Sequence, residues 1–448
     1  MYSNFQKVQF DPGQKKAIRH VKGPMLVLAG PGSGKTTVLT HRIMVLKTEA
    51  GVPETEILVL TFTRAAAAEM KERYLRLAGS GDTKVTFGTF HSVFYRILRQ
   101  YTEIGNCEIC ERPDALAMIG QILCKRFGEE FSPGTVCEEV YDQIGRMKNG
   151  MKVSALLPKE VYPDLEEAMR RNGKIDYDDM LLMFLRMLTD DPEVLRMLRN
   201  RYRYILVDEF QDLNRTQYEI LKLLAGTAQN VFAVGDDDQS IYGFRGSDPG
   251  FMKQFLTDYR PAKKIVLSVN HRSTGEIVKA SIRLIRHNRN RFAKRLHSVN
   301  TKGLRPDIRT FEDPEEEAKY IEQRIKVLRE AAEKADLKEP TAAILARTSA
   351  VLKNVTDRMD SNVLSNISTM TFHASKGLEF DAVFIIGATE GVTPDRRSVS
   401  EGSEEEERRA FYVAMTRARK YLHIFNTKTL YNKPVKSSKY IQEINSLI

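Results

Sequence analysis

The sequence predicts an α/β protein built on parallel sheets, and three observations carry that expectation. Short, nearly continuous apolar runs recur along the chain, each closed by a polar or glycine-rich turn. Helix-forming stretches separate them, the pattern of parallel strands covered on both faces. One run opens into a glycine-rich loop that leads at once into a helical stretch. The predicted strands are Met25–Ala29, Ile57–Thr61, Tyr204–Val207, Val231–Val234, Lys264–Val269, Ala343–Ala346, Val383–Ile386 and Leu422–Phe425. From about Phe90 to Leu198 strand-like runs are few and helix formers many, as in Asp114–Phe127 and Pro163–Arg171. That block reads as a helical subdomain inserted into the first sheet domain. Residues Pro314–Lys338 are highly charged at helical spacing and read as a solvated helix face.

At 448 residues the chain is too long for one ordinary domain. A hydrophobic fraction of 42% supplies ample core and excludes large-scale disorder. Lysine plus arginine exceed aspartate plus glutamate by 69 to 59, a basic balance that suits a polyanion, nucleic acid first. The start, Met1-Tyr2-Ser3-Asn4-Phe5-Gln6, has no apolar core of leader length. No run approaches the roughly 20 apolar residues of a membrane span, so a cytoplasmic protein is expected.

Cysteines stand at 107, 110, 124 and 137. Cys107-x-x-Cys110 invites a zinc or iron–sulfur reading, but the later pair lacks a second close CxxC or histidine partners. Cysteine as a small apolar core filler is the preferred reading.

The loop is Ala29-Gly30-Pro31-Gly32-Ser33-Gly34-Lys35-Thr36, with Thr37 next. Strand, loop and helix in this order make a phosphate-binding loop. Gly30, Gly32 and Gly34 let backbone N–H groups turn onto phosphates, as does that of Ser33, and the helix N-terminus adds its dipole. Lys35 would reach the β- and γ-phosphates and the Thr36 hydroxyl would hold Mg²⁺. The generic first glycine is Ala29 here. A second element, Ile205-Leu206-Val207-Asp208-Glu209, brings two carboxylates to the end of a buried strand. Asp208 would hold Mg²⁺ through water and Glu209 would polarise the attacking water. On its own such a pair is an ordinary acidic strand-end turn.

The pair does not stand alone. It continues as Phe210-Gln211-Asp212, and Val234-Gly235-Asp236-Asp237-Asp238-Gln239-Ser240-Ile241-Tyr242-Gly243-Phe244-Arg245-Gly246 follows. With these segments the chain resembles the UvrD/Rep/PcrA family of superfamily 1 helicases, in order and over nearly its whole length. Phe10-x-x-x-Gln14 is similar to the family's Q motif, Thr61-Phe62-Thr63-Arg64-Ala65-Ala66 to motif Ia, and Gly88-Thr89-Phe90-His91 to motif Ib. Asn270-His271-Arg272-Ser273-Thr274 resembles motif IV and the stretch from Thr371 to Phe380 motif V. Glu405-Glu406-Glu407-Arg408-Arg409 through Tyr412-Val413-Ala414-Met415-Thr416-Arg417-Ala418 resembles motif VI.

The resemblance implies two RecA-like lobes that use ATP and Mg²⁺. Residues 1–88 and 191–260 would form the first lobe, 89–190 the helical insertion, and 261–448 the second lobe. Gln14 would read the adenine edge and Glu379 the ribose. His271 would stack on the base, where the family usually has tyrosine. Gln239 would sense the γ-phosphate, and Arg272 and Arg417 would approach it as arginine fingers. The DNA-facing residues implied are Phe62, His91, Tyr242, Phe244, Arg347 and His373, with aromatics stacking on unpaired bases. Phe244 stands where many relatives have tryptophan. Arg286, Arg289, Arg291, Lys294 and Arg295 would touch the phosphate backbone or form a solvated basic helix.

Relatives carry a large insertion, subdomain 2B, after the Ala343–Arg347 strand. Here about two dozen residues separate Arg347 from Thr371, too few to hold one. Leu430-Tyr431-Asn432-Lys433 resembles the family's strand-separating hairpin, with Tyr431 at its tip; a plain surface hairpin is the alternative. The implied activity is an ATP-dependent helicase that moves 3′ to 5′ on single-stranded DNA and opens single-strand/duplex junctions. One rival is a non-unwinding motor that serves a separate nuclease, repair or defence factor. The other is a DNA-binding protein with an inert ATPase, which intact Lys35, Asp208, Glu209, Gln239, Arg272 and Arg417 argue against.

Overall fold

The computed structural model describes residues 9–102, 104, 107–128 and 134–446. The first six residues, read above for a leader, lie outside the described residues. The strands run β1 (Met25–Ala29), β2 (Ile57–Thr61), β3 (Thr86–Thr89), β4 (Glu108–Ile109), β5 (Lys174–Ile175), β6 (Tyr204–Val207) and β7 (Val231–Gly235). They continue with β8 (Lys263–Leu267), β9 (Val269–Thr274), β10 (His297–Asn300), β11 (Asp307–Phe311) and β12 (Ala342–Ala346). The last are β13 (Ser368–Thr371), β14 (Phe380–Ile385), β15 (Ala418–Thr427), β16 (Thr429–Leu430) and β17 (Lys433–Pro434). No helix among the described residues is long and apolar enough to cross a membrane.

Two compact units emerge. The first takes the chain up to Val27, Lys35–Gly235 and Tyr242–Ile265; the second takes Leu28–Gly34, Asp236–Ile241 and the chain from Val266 onward. Leu28–Gly34 and Asp236–Ile241, assigned above to the first lobe, therefore group with the second unit. Asn270 and His271 bond to Pro31 and Gly32, and Lys294 pairs with Asp236, Asp237 and Asp238.

The first unit is built on a six-stranded sheet of order β3-β2-β6-β7-β1-β8, in which β2 pairs in parallel with both β3 and β6, and β6 with β7. Every residue of β1, β2, β6 and β7 is buried, which is why these strands read as unbroken apolar runs. Arg42, on the helix Lys35–Thr48, lies wholly inside with its guanidinium 4.2 Å from the centre of the Phe232 ring. Burial pushes its pKa down to about 9. Among the described residues, five α-helices from Phe90–Tyr101 through Tyr177–Asp190 lie in the helical block. Its core joins Ile119, Leu123, Val140, Val161 and Leu165 with Cys110 and Cys137. Cys107 and Cys124 are half-buried, and none of the four cysteines is in a disulfide.

The second unit holds a wholly parallel five-stranded sheet, β11-β15-β14-β12-β13. Its core gathers Ile344, Phe384 and Phe425 around the helix Pro314–Lys334. That helix corrects the reading of a merely solvated face. Ala318, Ile321, Ile325 and Leu328 form a buried stripe along it, which the surrounding charges hide in the sequence. Between Arg347 and Thr371 lie two short helices, Ser349–Thr356 and Ser361–Leu364, and strand β13.

Candidate functional site

Strand β1 ends at Ala29 and the helix Lys35–Thr48 begins after five loop residues. Gly32 (φ 65) and Gly34 (φ 80) adopt left-handed backbone that glycine takes without strain. A Cβ on Gly32 would stand 2.6 Å from Cβ of Arg272, so this position also excludes a side chain on steric grounds. The Ser33 hydroxyl donates to the Gly30 carbonyl at 2.7 Å and curls the loop. Thr36 and Thr37 begin the helix half-buried, and its first turn carries no acidic residue to oppose an anion.

In the unit that holds Lys35, β6 delivers Asp208 and Glu209. Lys35 Nζ donates to both carboxylate oxygens of Glu209, at 3.0 and 2.9 Å, and Gln211 Nε2 donates to one of them at 2.6 Å. Glu209 itself sits in the left-handed region (φ 51, ψ 45), a strained choice for a side chain. Burial, followed by the Glu209 charge, pushes Asp208 up to about 7, against the pull of Lys35. The donor set fits Mg²⁺: hard oxygens from Thr36 and Asp208, with crowded negative charge that a divalent cation would relieve.

A second constellation forms within the other unit. Arg417 is buried, donating from Nε to the Val413 carbonyl at 2.9 Å and from NH2 to Gln239 Oε1 at 3.2 Å. Thus the two residues read as γ-phosphate sensors touch each other. Arg272 pairs with Glu379, which also pairs with Arg419. Burial would raise the Glu379 carboxyl, but the Arg419 hydrogen bond and the charges of Arg272 and Arg419 hold it below the usual range. Glu379 is committed to arginines here. His271 is exposed, and its backbone N–H donates to the Gly32 carbonyl at 2.9 Å. In the first unit, Gln14 is buried with its amide oxygen accepting from the Asp11 N–H at 3.1 Å, closing a capping box at the start of helix Pro12–Ile18.

Three of the residues read as DNA-facing meet in the first unit. Phe62 and Tyr242 stack with centroids 4.8 Å apart at 17°, and Phe244 lies 6.1 Å from Tyr242 and is 50% exposed. The guanidinium of Arg245 reaches over both Tyr242 and Phe244, at 5.8 and 5.5 Å. His91 does not join this shelf. Its ring meets Tyr177 edge-on at 5.7 Å, and burial pushes its pKa down to about 4, so it is uncharged at neutral pH.

In the second unit Arg347 forms a two-pronged pair with Glu407, at 2.7 to 3.1 Å. His373 is half-buried in the turn after β13. Tyr431 and Asn432 form a two-residue turn between β16 and β17 with φ of 50 and 59, as a tight hairpin requires. The Tyr431 ring is 55% exposed, so a bulky residue holds unfavourable backbone while presenting its ring to solvent.

The basic run is also corrected. Lys294 is fully buried on three aspartates, and Arg291 forks onto Asp238 at 2.8 and 2.6 Å. Neither is placed for a phosphate backbone. Sequence reasoning missed Lys376 and Arg409 as well, whose side chains donate to the carbonyls of Gln239 and Ser240 at 2.8 and 2.7 Å. Both lie inside the quoted motifs V and VI, and that position was the available signal.

A buried strand, a glycine loop, a helix and an acid-tipped parallel strand define the P-loop class of α/β protein. Residues 10–260 match the UvrD/REP helicase N-terminal domain, and residues 265–362 and 348–429 match the UvrD-like helicase C-terminal domain. The chain belongs to the UvrD/Rep helicase family. It is 35% identical over 353 residues to the ATP-dependent DNA helicase PcrA of Bacillus subtilis, covering 76% of this chain and 47% of that protein. It is likewise 35% identical over 398 residues to the putative ATP-dependent DNA helicase YjcD of the same organism, 84% of this chain and 50% of that one. With PcrA of Staphylococcus epidermidis the identity is 36% over 358 residues, 75% and 48% of the two chains. The chain spans about half the length of the curated relatives it matches.

Proposed function

We propose that this chain is an ATP-driven motor that moves 3′ to 5′ along single-stranded DNA and separates duplex at junctions. The observation that carries the proposal is the Lys35, Asp208 and Glu209 cluster in one unit with the Phe62–Tyr242–Phe244 shelf. The names of its relatives, ATP-dependent DNA helicase PcrA and putative ATP-dependent DNA helicase YjcD, support it. Backbone N–H groups of Gly30, Gly32, Ser33 and Gly34 and the Lys35 ammonium hold the phosphates, with Thr36 and Thr37 at the helix start. Thr36 and Asp208 hold Mg²⁺, which shields phosphate charge when bound. Glu209 orients and deprotonates the attacking water. Gln239, Arg272 and Arg417 answer the charge that develops on the transferred phosphoryl group. Gln14, His271 and Glu379 bind the nucleoside, the last after leaving an arginine.

On the DNA side, stacking on the aromatic shelf is tolerant of sequence, as movement along any strand demands. His91, Arg347 and His373 line the strand's path and Tyr431 wedges the junction, Arg347 after exchanging Glu407 for phosphate. The deciding experiment measures ATP hydrolysis with and without single-stranded DNA, beside unwinding of 3′-tailed and 5′-tailed duplexes. Strong stimulation with opening of the 3′-tailed duplex is expected; hydrolysis indifferent to DNA would defeat the proposal. The short interval between Arg347 and Thr371 favours one second reading, a motor that translocates without unwinding and hands the strand to a nuclease, repair or defence partner. Stimulated hydrolysis with no strand separation would select it.

A further inference from the structure

Lys294 has no place in the roles assigned so far, yet it is the most deeply buried cation of the second unit's acidic turn. Its ammonium pairs with Asp236, with Asp237 at 2.5 Å and with Asp238 at 2.8 Å, and its side chain is 0% exposed. An ammonium has three donors and no acceptor, so one lysine can serve three carboxylates at once. Asp236 keeps its other oxygen, Oδ2, for Gln239 Nε2 at 2.7 Å. The far end of the same amide, Oε1, accepts from Arg417 NH2 at 3.2 Å.

The chemistry of the two neighbours allows one orientation of the Gln239 amide. An ionised carboxylate only accepts, so the NH₂ group must face Asp236. A guanidinium only donates, so the oxygen must face Arg417. Lys376 and Arg409 fix the backbone on which this side chain is mounted, through the Gln239 and Ser240 carbonyls. What remains adjustable is the half-turn of the amide, and Asp236 sets it.

We propose that Lys294 is a positioning residue: by holding the Asp236 carboxylate in place it fixes the Gln239 carboxamide with its oxygen on Arg417. This rests on the reading of Gln239 and Arg417 as the residues that answer the γ-phosphate. The arrangement readies both groups before nucleotide arrives, so that no reorientation is needed during hydrolysis.

Asp236→Asn is the sharpest test, because it keeps the shape. The new amide can offer its oxygen to Lys294 and its NH₂ to Gln239, which must then turn its own NH₂ toward Arg417, donor against donor. We expect this variant to fold, to hold its KM for ATP within about threefold, and to lose about tenfold or more in kcat. A crystal structure refined with its hydrogen-bond network, or the side-chain amide resonances of Gln239, should show the amide reversed. Lys294→Met should lose kcat in the same way, with Lys294→Arg intermediate, because a planar fork cannot serve three carboxylates as an ammonium does. Wild-type kcat in Asp236→Asn, or lost kcat with the amide unturned, would overturn the proposal. A wild-type chain that hydrolyses no ATP would instead defeat the functional reading, and the orientation of the amide in Asp236→Asn would then decide the positioning claim by itself.

Discussion

Lys35 Nζ lies 3.0 and 2.9 Å from the two carboxylate oxygens of Glu209, so the proposed phosphate ligand and the proposed base neutralise one another. On the proposed reading, nucleotide phosphates would draw the ammonium away and so release the carboxylate for water. Glu209→Gln removes the competing charge and the base together. ATP should bind as tightly as in the wild type or several-fold tighter, while kcat falls by about 10²- to 10⁴-fold. Equilibrium nucleotide titration beside steady-state hydrolysis separates the two effects. Near-normal turnover would remove Glu209 from the role of base.

Phe244→Ala tests the aromatic shelf. The ring is 50% exposed and lies beside Tyr242 and Arg245, so its loss should leave the fold intact. Affinity for single-stranded DNA should fall by the value of one stacked base, about 1–3 kcal/mol. The salt dependence of binding should keep its slope, because no phosphate contact is lost. Titrations at several salt concentrations measure both quantities, and unchanged affinity would mean the shelf does not touch bases.

Tyr431→Ala tests the hairpin. A wedge would act on the duplex rather than on nucleotide, so DNA-stimulated hydrolysis and displacement of streptavidin from single strands should persist. Unwinding should be largely lost, because one stacked ring is worth about 1–3 kcal/mol, comparable with a base-pair step. Equal unwinding by both proteins would make the turn an ordinary surface loop.

Glu317→Gln tests a buried acid in the second unit. Burial alone pushes Glu317 up to about 8. The unfolded chain ionises it near 4.3, so between those values the folded state holds a proton that the unfolded state has lost. Stability therefore falls as pH rises from about 4 to 8, by a few kcal/mol in all. The glutamine variant, neutral throughout, should raise Tm at pH 8 and above and change it little at pH 4. Parallel melting curves at the two pH values check this, and an equal effect at both would show that the carboxyl finds a cation.

Much of the fold is legible in the sequence because its central strands are buried on both faces. β1, β2, β6 and β7 announce themselves as apolar runs. In the two main sheets the strands without an apolar run are β3, β11 and β13, and all lie at sheet edges, where one side is unpaired and polar residues are tolerated. At the candidate site, positions set by local chain geometry are legible: Lys35 after its loop, Asp208 at its strand end, Tyr431 in its turn. Pairings with a distant partner are not. Nothing near Lys294 in the sequence points to Asp236, 58 positions away, nor does Arg347 betray Glu407, 60 positions away. A basic run has the same composition whether its side chains face solvent or a buried acid.

The Asp236–Asp238 turn with Lys294 also constrains how this protein can change over generations. Removing one member of a buried charge pair destabilises by about 3–5 kcal/mol, because the partner is stranded without water. A lineage that replaces Lys294 first, or one of the aspartates first, passes through a variant with unbalanced charge inside the protein. Apolar replacement of the whole group could be as stable, yet no single step leads there safely. These four positions are therefore expected to be inherited as a block, and a homologue that alters one should carry a compensating change at another.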